Sequence, residues 1–251
     1  MRQNLTRLAL LAAATAGAAF TAAPAAAQVD VGGGFSVSGN ATLVTDYRFR
    51  GLSQSDRRFA VQGGFTLSHQ SGFYATVWGS SVDDYVANGS DQEIDFVGGY
   101  SHSFGDTTID VGLLYYYYPG SGGVPTDFFE PYASISHDFG PLTAKITANY
   151  APSQAALSIG AGDEDNFYLA GDLSVPFGET GLSASAHLGH SFGPSYLTVG
   201  DEYTDWSIGL SYSRGPLSIG ITYVDTDVTA ITPSGRNAAR AGVFGSIGVA
   251  F

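Results

Sequence analysis

The chain has 251 residues, with 23 Asp+Glu against 10 Lys+Arg, a formal net charge of −13 and no Cys. The acidic balance argues against nucleic-acid partners, which are gripped through Lys and Arg at phosphates, and the missing Cys excludes disulfide staples and thiol chemistry. Charged residues are only 13% of the chain, about half the ~25% usual in soluble domains, while Gly reaches 34, Tyr 15 and Phe 16.

At the amino-terminus, Arg2 and Arg7 flank the start of a mostly apolar run from Leu8 to Phe20, which is followed by Ala25, Ala26 and Ala27. This reads as a signal peptide cleaved after Ala27, leaving 28–251 as a single domain. Thr15, Gly17, Thr21 and Pro24 interrupt the run, which argues against a retained membrane helix. Removing 1–27 takes two basic residues and no acid, so the remainder carries eight Lys+Arg against 23 Asp+Glu, a net charge of −15. No other stretch approaches a helical span. An exported chain of this kind enters a membrane only as a closed barrel, because hydrocarbon tolerates only helices and barrels with paired backbones.

Beyond residue 34 the pattern has period 2. Alternating runs fall near 35–48, 59–69, 73–82, 93–104, 107–118, 129–139, 142–151, 166–176, 182–192, 204–214, 217–226 and 239–251. Twelve strands follow, close to the ~9–11 residues that a tilted membrane strand needs. The connections alternate in length. Short turns lie at 70–72, 105–106, 140–141, 178–181 and 215–216, and long loops near 50–58, 83–92, 119–128, 152–165, 193–203 and 227–238. In an even-stranded barrel with both termini periplasmic, the short turns are periplasmic and the long loops external. Pro131 is the weak point, since proline removes a ladder donor.

Parity assigns the faces. Leu217, Ile219, Ile221 and Tyr223 point one way while Ser218, Gly220 and Thr222 point the other, and the same split holds across 206–213 and 142–150. A β-sandwich would fill its inner face with large apolar groups. Here the second face carries Ser, Thr, Gly, Asn and ions, which suits a wet lumen. The fold class expected is therefore all-β, a transmembrane antiparallel up-and-down β-barrel of about 12 strands. Its last strand ends on Phe251, as outer-membrane strands that engage the barrel-assembly machinery do.

The blocks SGNATLVTDYRFRGLSQSD at 38–56, VQGGFTLSHQSGFYATVWGSSVD at 61–83 and EIDFVGGY at 93–100 resemble the TorF-type family, sequences of Gram-negative bacteria assigned by inference as porins. The resemblance is specific over about 35–118. It implies an outer-membrane barrel for diffusion of small solutes and supplies no catalytic residues. Thr45 and Arg57-Arg58-Phe59 depart from the family pattern at the first external loop.

For a pore, the inward ions are the informative residues. Parity gives Asp46, Arg48, Glu93, Asp95, Asp110, Glu130, Asp138, Lys145, Asp172 and Arg240, seven acids against three bases. A net negative lumen favours small cations. Some of these ions are also expected to brace the wall, Arg48 with Asp46, and Lys145 with Glu130 or Asp172. Twelve strands lie between a filled barrel of ~8 and a wide channel of ~16–18. Inward Gly64, Gly99, Gly112, Gly209, Gly220 and Gly248 give room, whereas Trp78, Tyr116, Tyr118, Tyr132, Tyr168 and Phe244 take it away. A narrow pore is expected. The four tyrosines at 115–118 run from strand into loop, as a girdle or a stacking track.

The alternative is a closed structural or loop-binding barrel without transport. His102 and His190 fall on the outward face, but no nucleophile-elbow sequence accompanies them, so no enzyme is expected. No cofactor or metal is expected either, since the acidic loop pairs lack EF-hand spacing. Expected partners are outer-membrane lipid and lipopolysaccharide, small solutes or ions, and the assembly machinery, with the chain a monomer.

Overall fold

The computed structural model describes residues 28–251, and the expected signal peptide, 1–27, lies outside the described residues. In chain order the strands are β1 (Val29–Gly32), β2 (Phe35–Val44), β3 (Arg48–Phe49), β4 (Leu52–Ser53), β5 (Ala60–His69), β6 (Phe73–Ser81), β7 (Gln92–Phe104), β8 (Thr107–Tyr117), β9 (Phe128–Asp138), β10 (Thr143–Ile159), β11 (Gly162–Pro176), β12 (Leu182–Phe192), β13 (Tyr203–Arg214), β14 (Leu217–Thr226) and β15 (Gly242–Ala250). The only helical element among the described residues is a single 3-10 turn, Tyr196–Thr198.

Strands β5 to β15 pair antiparallel with their sequence neighbours, and β2 closes the cylinder by pairing with β15 on one edge and β5 on the other. The result is the expected closed barrel of twelve strands, in which every edge is paired. β1 adds a short ladder beside β2, Val29 opposite Val37, in line with the end of β15. Gly39 and Phe251 exchange backbone hydrogen bonds of 2.6 and 2.9 Å at that junction.

Alternation sets the faces as parity predicts. Phe65, Ile109, Leu113, Ile146, Ile208, Leu210, Ile219, Ile221, Val243 and Ile247 are exposed on the outside. Transfer of such side chains into hydrocarbon contributes about 1.5–3 kcal/mol each. Pro131 sits inside β9, opposite Leu113 of β8, and does not break the strand.

Four strand ends differ markedly from the sequence expectation. β2 ends at Val44 rather than near 48, because the next residues turn inward. β10 and β11 run on to Ile159 and Gly162, so 152–165 is a protruding hairpin rather than a loop. Gln154 explains part of that extension, since its side chain accepts from Phe129 N at 2.9 Å and donates to Phe129 O at 3.0 Å. β15 begins at Gly242, so Arg240 precedes the strand.

The lumen is lined unevenly. Tyr74, Trp78, Tyr116, Tyr132 and Tyr168 point inward from β6, β8, β9 and β11 and are buried. A Cβ at Gly99 would lie 2.4 Å from the Tyr74 ring, one at Gly112 2.7 Å from Tyr132, and one at Gly189 1.9 Å from the Tyr168 hydroxyl. Gly99 and Gly112 therefore seat aromatic rings rather than widen the lumen, a correction to the sequence expectation. The opposite wall is small and polar, with Gly209 against Ser185, Gly220 against Ser246 and Gly248 against Thr42.

A candidate constriction inside the barrel

The block DYRFRGLSQSD at 46–56 folds into the lumen instead of projecting outward, and nearly every residue from Asp46 to Asp56 is buried. Its centre is a tight hairpin in which Arg48 pairs with Ser53 and Phe49 with Leu52. Arg50 and Gly51 form the turn with φ of 47° and 80°. Both are left-handed, which makes a primed turn of the kind that matches strand twist, and glycine fills the second position without strain. Space also demands glycine there, since a Cβ at Gly51 would meet Thr226 Cγ2 at 2.3 Å and Asp205 Cβ at 2.8 Å.

Buried polar groups need partners, and this hairpin finds them on both sides. At its base Arg48 donates to Asp46 Oδ2 at 2.7 Å, to Gly51 O at 2.9 Å and to Ala238 O at 2.8 Å. Ser53 Oγ donates to Asp46 Oδ1 at 2.6 Å. The expected Arg48–Asp46 brace is thus present. At its tip Arg50 crosses to the far wall, donating to Glu130 Oε1 on β9 at 2.5 Å and to Asn166 Oδ1 on β11 at 2.7 Å. Both charged side chains are fully buried. The guanidinium also lies 4.2 Å from the centre of the Tyr168 ring, in cation–π range. Tyr116 Oη and Asn149 Nδ2 donate to the other Glu130 oxygen at 3.2 and 3.0 Å. Tyr203 Oη donates to Arg50 O at 2.9 Å.

A second set of contacts holds the outer end of the segment. Asp56 accepts from Thr232 Oγ1 at 2.9 Å, Ser234 Oγ at 3.0 Å and Arg236 NH1 at 2.7 Å. Burial works against its charge, but these hydrogen bonds and the Arg236 charge hold its carboxyl below the usual carboxylate range. Arg58 pairs with Asp83, and Tyr85 Oη donates to Ser53 O.

The wall ions fall into place around this hairpin. Glu93 and Asp95 are inward and buried on β7. Asp110 accepts from Tyr74 Oη at 2.9 Å. The His187 ring bridges two carboxylates, its Nδ1 2.7 Å from Asp172 Oδ1 and its Nε2 3.1 Å from Asp205 Oδ1. Lys145 stands opposite Asp172 in the β10–β11 register. Glu130 is paired with Arg50 rather than with Lys145, so that expected brace is not formed. Asp138 is inward by parity but exposed near the strand end. Arg240 is corrected: it lies outside β15 and is exposed, and its carbonyl accepts from Arg48 NH2 at 3.3 Å.

The sequence reading missed Arg50, Asp205 and His187. Parity alone places Asp205 and His187 inward, opposite the outward Trp206 and His190 of the same strands. It does not place Arg50, because parity says nothing about a residue expected in an external loop. Among wall carboxylates, Asp172 and Asp205 share the single His187 ring, whereas Glu93, Asp95 and Asp110 have no Lys, Arg or His nitrogen within 4.0 Å among the described residues, so acids outnumber their basic partners.

Solved porins share this architecture. The NanC porin matches with a TM-score of 0.59 at 15% identity, covering 86% of this chain and 98% of that one. The KdgM porin matches with a TM-score of 0.56 at 10% identity over 85% and 98%, and KdgM in complex with disordered oligogalacturonate with a TM-score of 0.55. No curated protein matches the chain. The model of the Gcw_chp family, described as bacterial proteins of unknown function, matches residues 28–244, and the chain belongs to that family.

Proposed function

We propose that the chain is an outer-membrane porin of a Gram-negative bacterium, exported by residues 1–27, that passes small hydrophilic solutes or ions and prefers cations. The observation carrying this reading is the 46–56 hairpin across the lumen of a closed twelve-strand barrel, whose wall carries Glu93, Asp95 and Asp110 with no Lys, Arg or His nitrogen within 4.0 Å among the described residues. A hairpin inside a barrel narrows the passage, and the residual negative charge sets its ion preference. The TorF-type resemblance and the fold shared with NanC and KdgM support the same class. The acidic wall disfavours a polyanion such as the oligogalacturonate held by KdgM.

A second reading, a closed barrel without transport, is favoured by the full burial of the Arg50–Glu130 pair at the hairpin tip. Reversal potential of the refolded 28–251 chain in a planar bilayer under a KCl gradient separates the two. A potential of the sign set by potassium permeation supports the cation-preferring pore. Anion preference contradicts it, and an intact barrel without current supports the closed reading.

A further inference from the structure

On β7, Asp95 faces the lumen between Trp78 of β6 and Tyr116 of β8, its direct cross-strand neighbours. One row outward, Glu93 lies beside Ser80 and accepts from Tyr47 Oη, which reaches it from the inward segment, at 3.3 Å. Asp95 is 1% exposed and Glu93 2%. No Lys, Arg or His nitrogen lies within 4.0 Å of either carboxylate among the described residues. Two buried atoms here also lack hydrogen-bond partners, Asp95 Oδ1 and, independently, Trp78 Nε1. Buried polar atoms without partners are rare and costly. Tyr47 and Trp78 meet edge to face at 5.7 Å between ring centres, so aromatic surface surrounds the two acids.

We propose that this niche binds a small organic ammonium ion carrying a nearby hydroxyl, as a solute-binding step within the cation-preferring pore on which this inference rests. The ammonium would donate to Asp95 and Glu93 and lie against the Tyr47 and Trp78 rings, and the hydroxyl oxygen would accept from Trp78 Nε1. Two carboxylates among aromatic rings match such a cation better than a metal. Calcium wants six to eight oxygens and magnesium a near-ideal octahedron, and no group of three or more metal-ligating side chains is found among the described residues. Ring faces, by contrast, attract ammonium ions.

The chain has two tryptophans, Trp78 and Trp206, and Trp206 belongs to the outer face of β13. In the Trp206→Phe background, Trp78 emission of the refolded 28–251 barrel reports the niche directly. Titration with ethanolamine at neutral pH and constant ionic strength is expected to give a saturable change, weakened roughly tenfold or more by Asp95→Asn. Ethylene glycol, which lacks the ammonium, should leave the emission unchanged. That control needs no variant in the niche to fold. A flat ethanolamine titration, an equal response to ethylene glycol, or the same response to KCl would overturn the proposal. The readout does not depend on current. A barrel that conducts cations but ignores ethanolamine leaves the porin reading standing and defeats this one, whereas a response without conductance does the reverse.

Discussion

Arg50 and Glu130 meet 2.5 Å apart with no exposed surface on either side chain. Removing two charges from water is costly, and only the close contact together with Asn166, Tyr116 and Asn149 compensates it. Arg50→Ala leaves Glu130 buried and without its cation, and should lower stability by about 3–5 kcal/mol in urea unfolding of the refolded barrel. Arg50→Met with Glu130→Leu removes both charges and should recover most of that loss. Asp56 makes the complementary case at the outer end of the segment. Its folded pKa lies below the ordinary 3.8. Its contribution is therefore fully present above the unfolded value and is lost as the pH falls through the lower folded one. Amide exchange in residues 53–58 should accelerate below about pH 4 relative to Asp56→Asn, which should show no such step. Equal profiles for the two chains would contradict the role assigned to Asp56.

The hairpin as an element depends on its turn. Gly51→Ala would force a side chain into a left-handed position and against Thr226 and Asp205. Gly235→Ala, at φ 83° with nothing within 4 Å of the added Cβ, imposes the strain alone. We expect about 1–3 kcal/mol of destabilisation at Gly51 and less at Gly235, with a larger pore only for Gly51→Ala. The strands themselves were legible because lipid on one side and water on the other impose period 2 on every one of them. Even the weak run through Pro131 was paired. The inward hairpin was not legible. DYRFRGLSQSD alternates too briefly to read as strand, its Arg-Gly turn is not one of the common hairpin pairs, and its depth is fixed by partners more than 70 residues away, Glu130 and Asn166. The same distance effect explains Gly99 and Gly112, whose apparent room is occupied by rings from neighbouring strands.

For the whole barrel, closure between β15 and β2 joins strands from opposite ends of the chain, and it brings Phe251 against Gly39. A Cβ at Gly39 would lie 2.7 Å from the Phe251 ring. Gly39→Val should lower the yield of refolded barrel, read as the fraction with altered mobility on an unheated gel, while Gly98→Val, at an outward position with nothing within 4 Å, should not. The closed wall then presents two unlike surfaces to the lumen, one with the rings of Tyr74, Trp78, Tyr116, Tyr132 and Tyr168 between β6 and β11, the other richer in Ser, Thr and Gly from β12 through β15 to β2 and carrying His187 and Asp205, with the hairpin between them. The central claim is that this hairpin sets the size of the pore. Single-channel conductance of the native barrel, compared with one in which 48–53 is replaced by a Gly-Ser link of equal length, tests it most directly. The account predicts a larger conductance for the replaced barrel with cation preference retained through the wall carboxylates. Equal conductance in two equally well-folded barrels would contradict it.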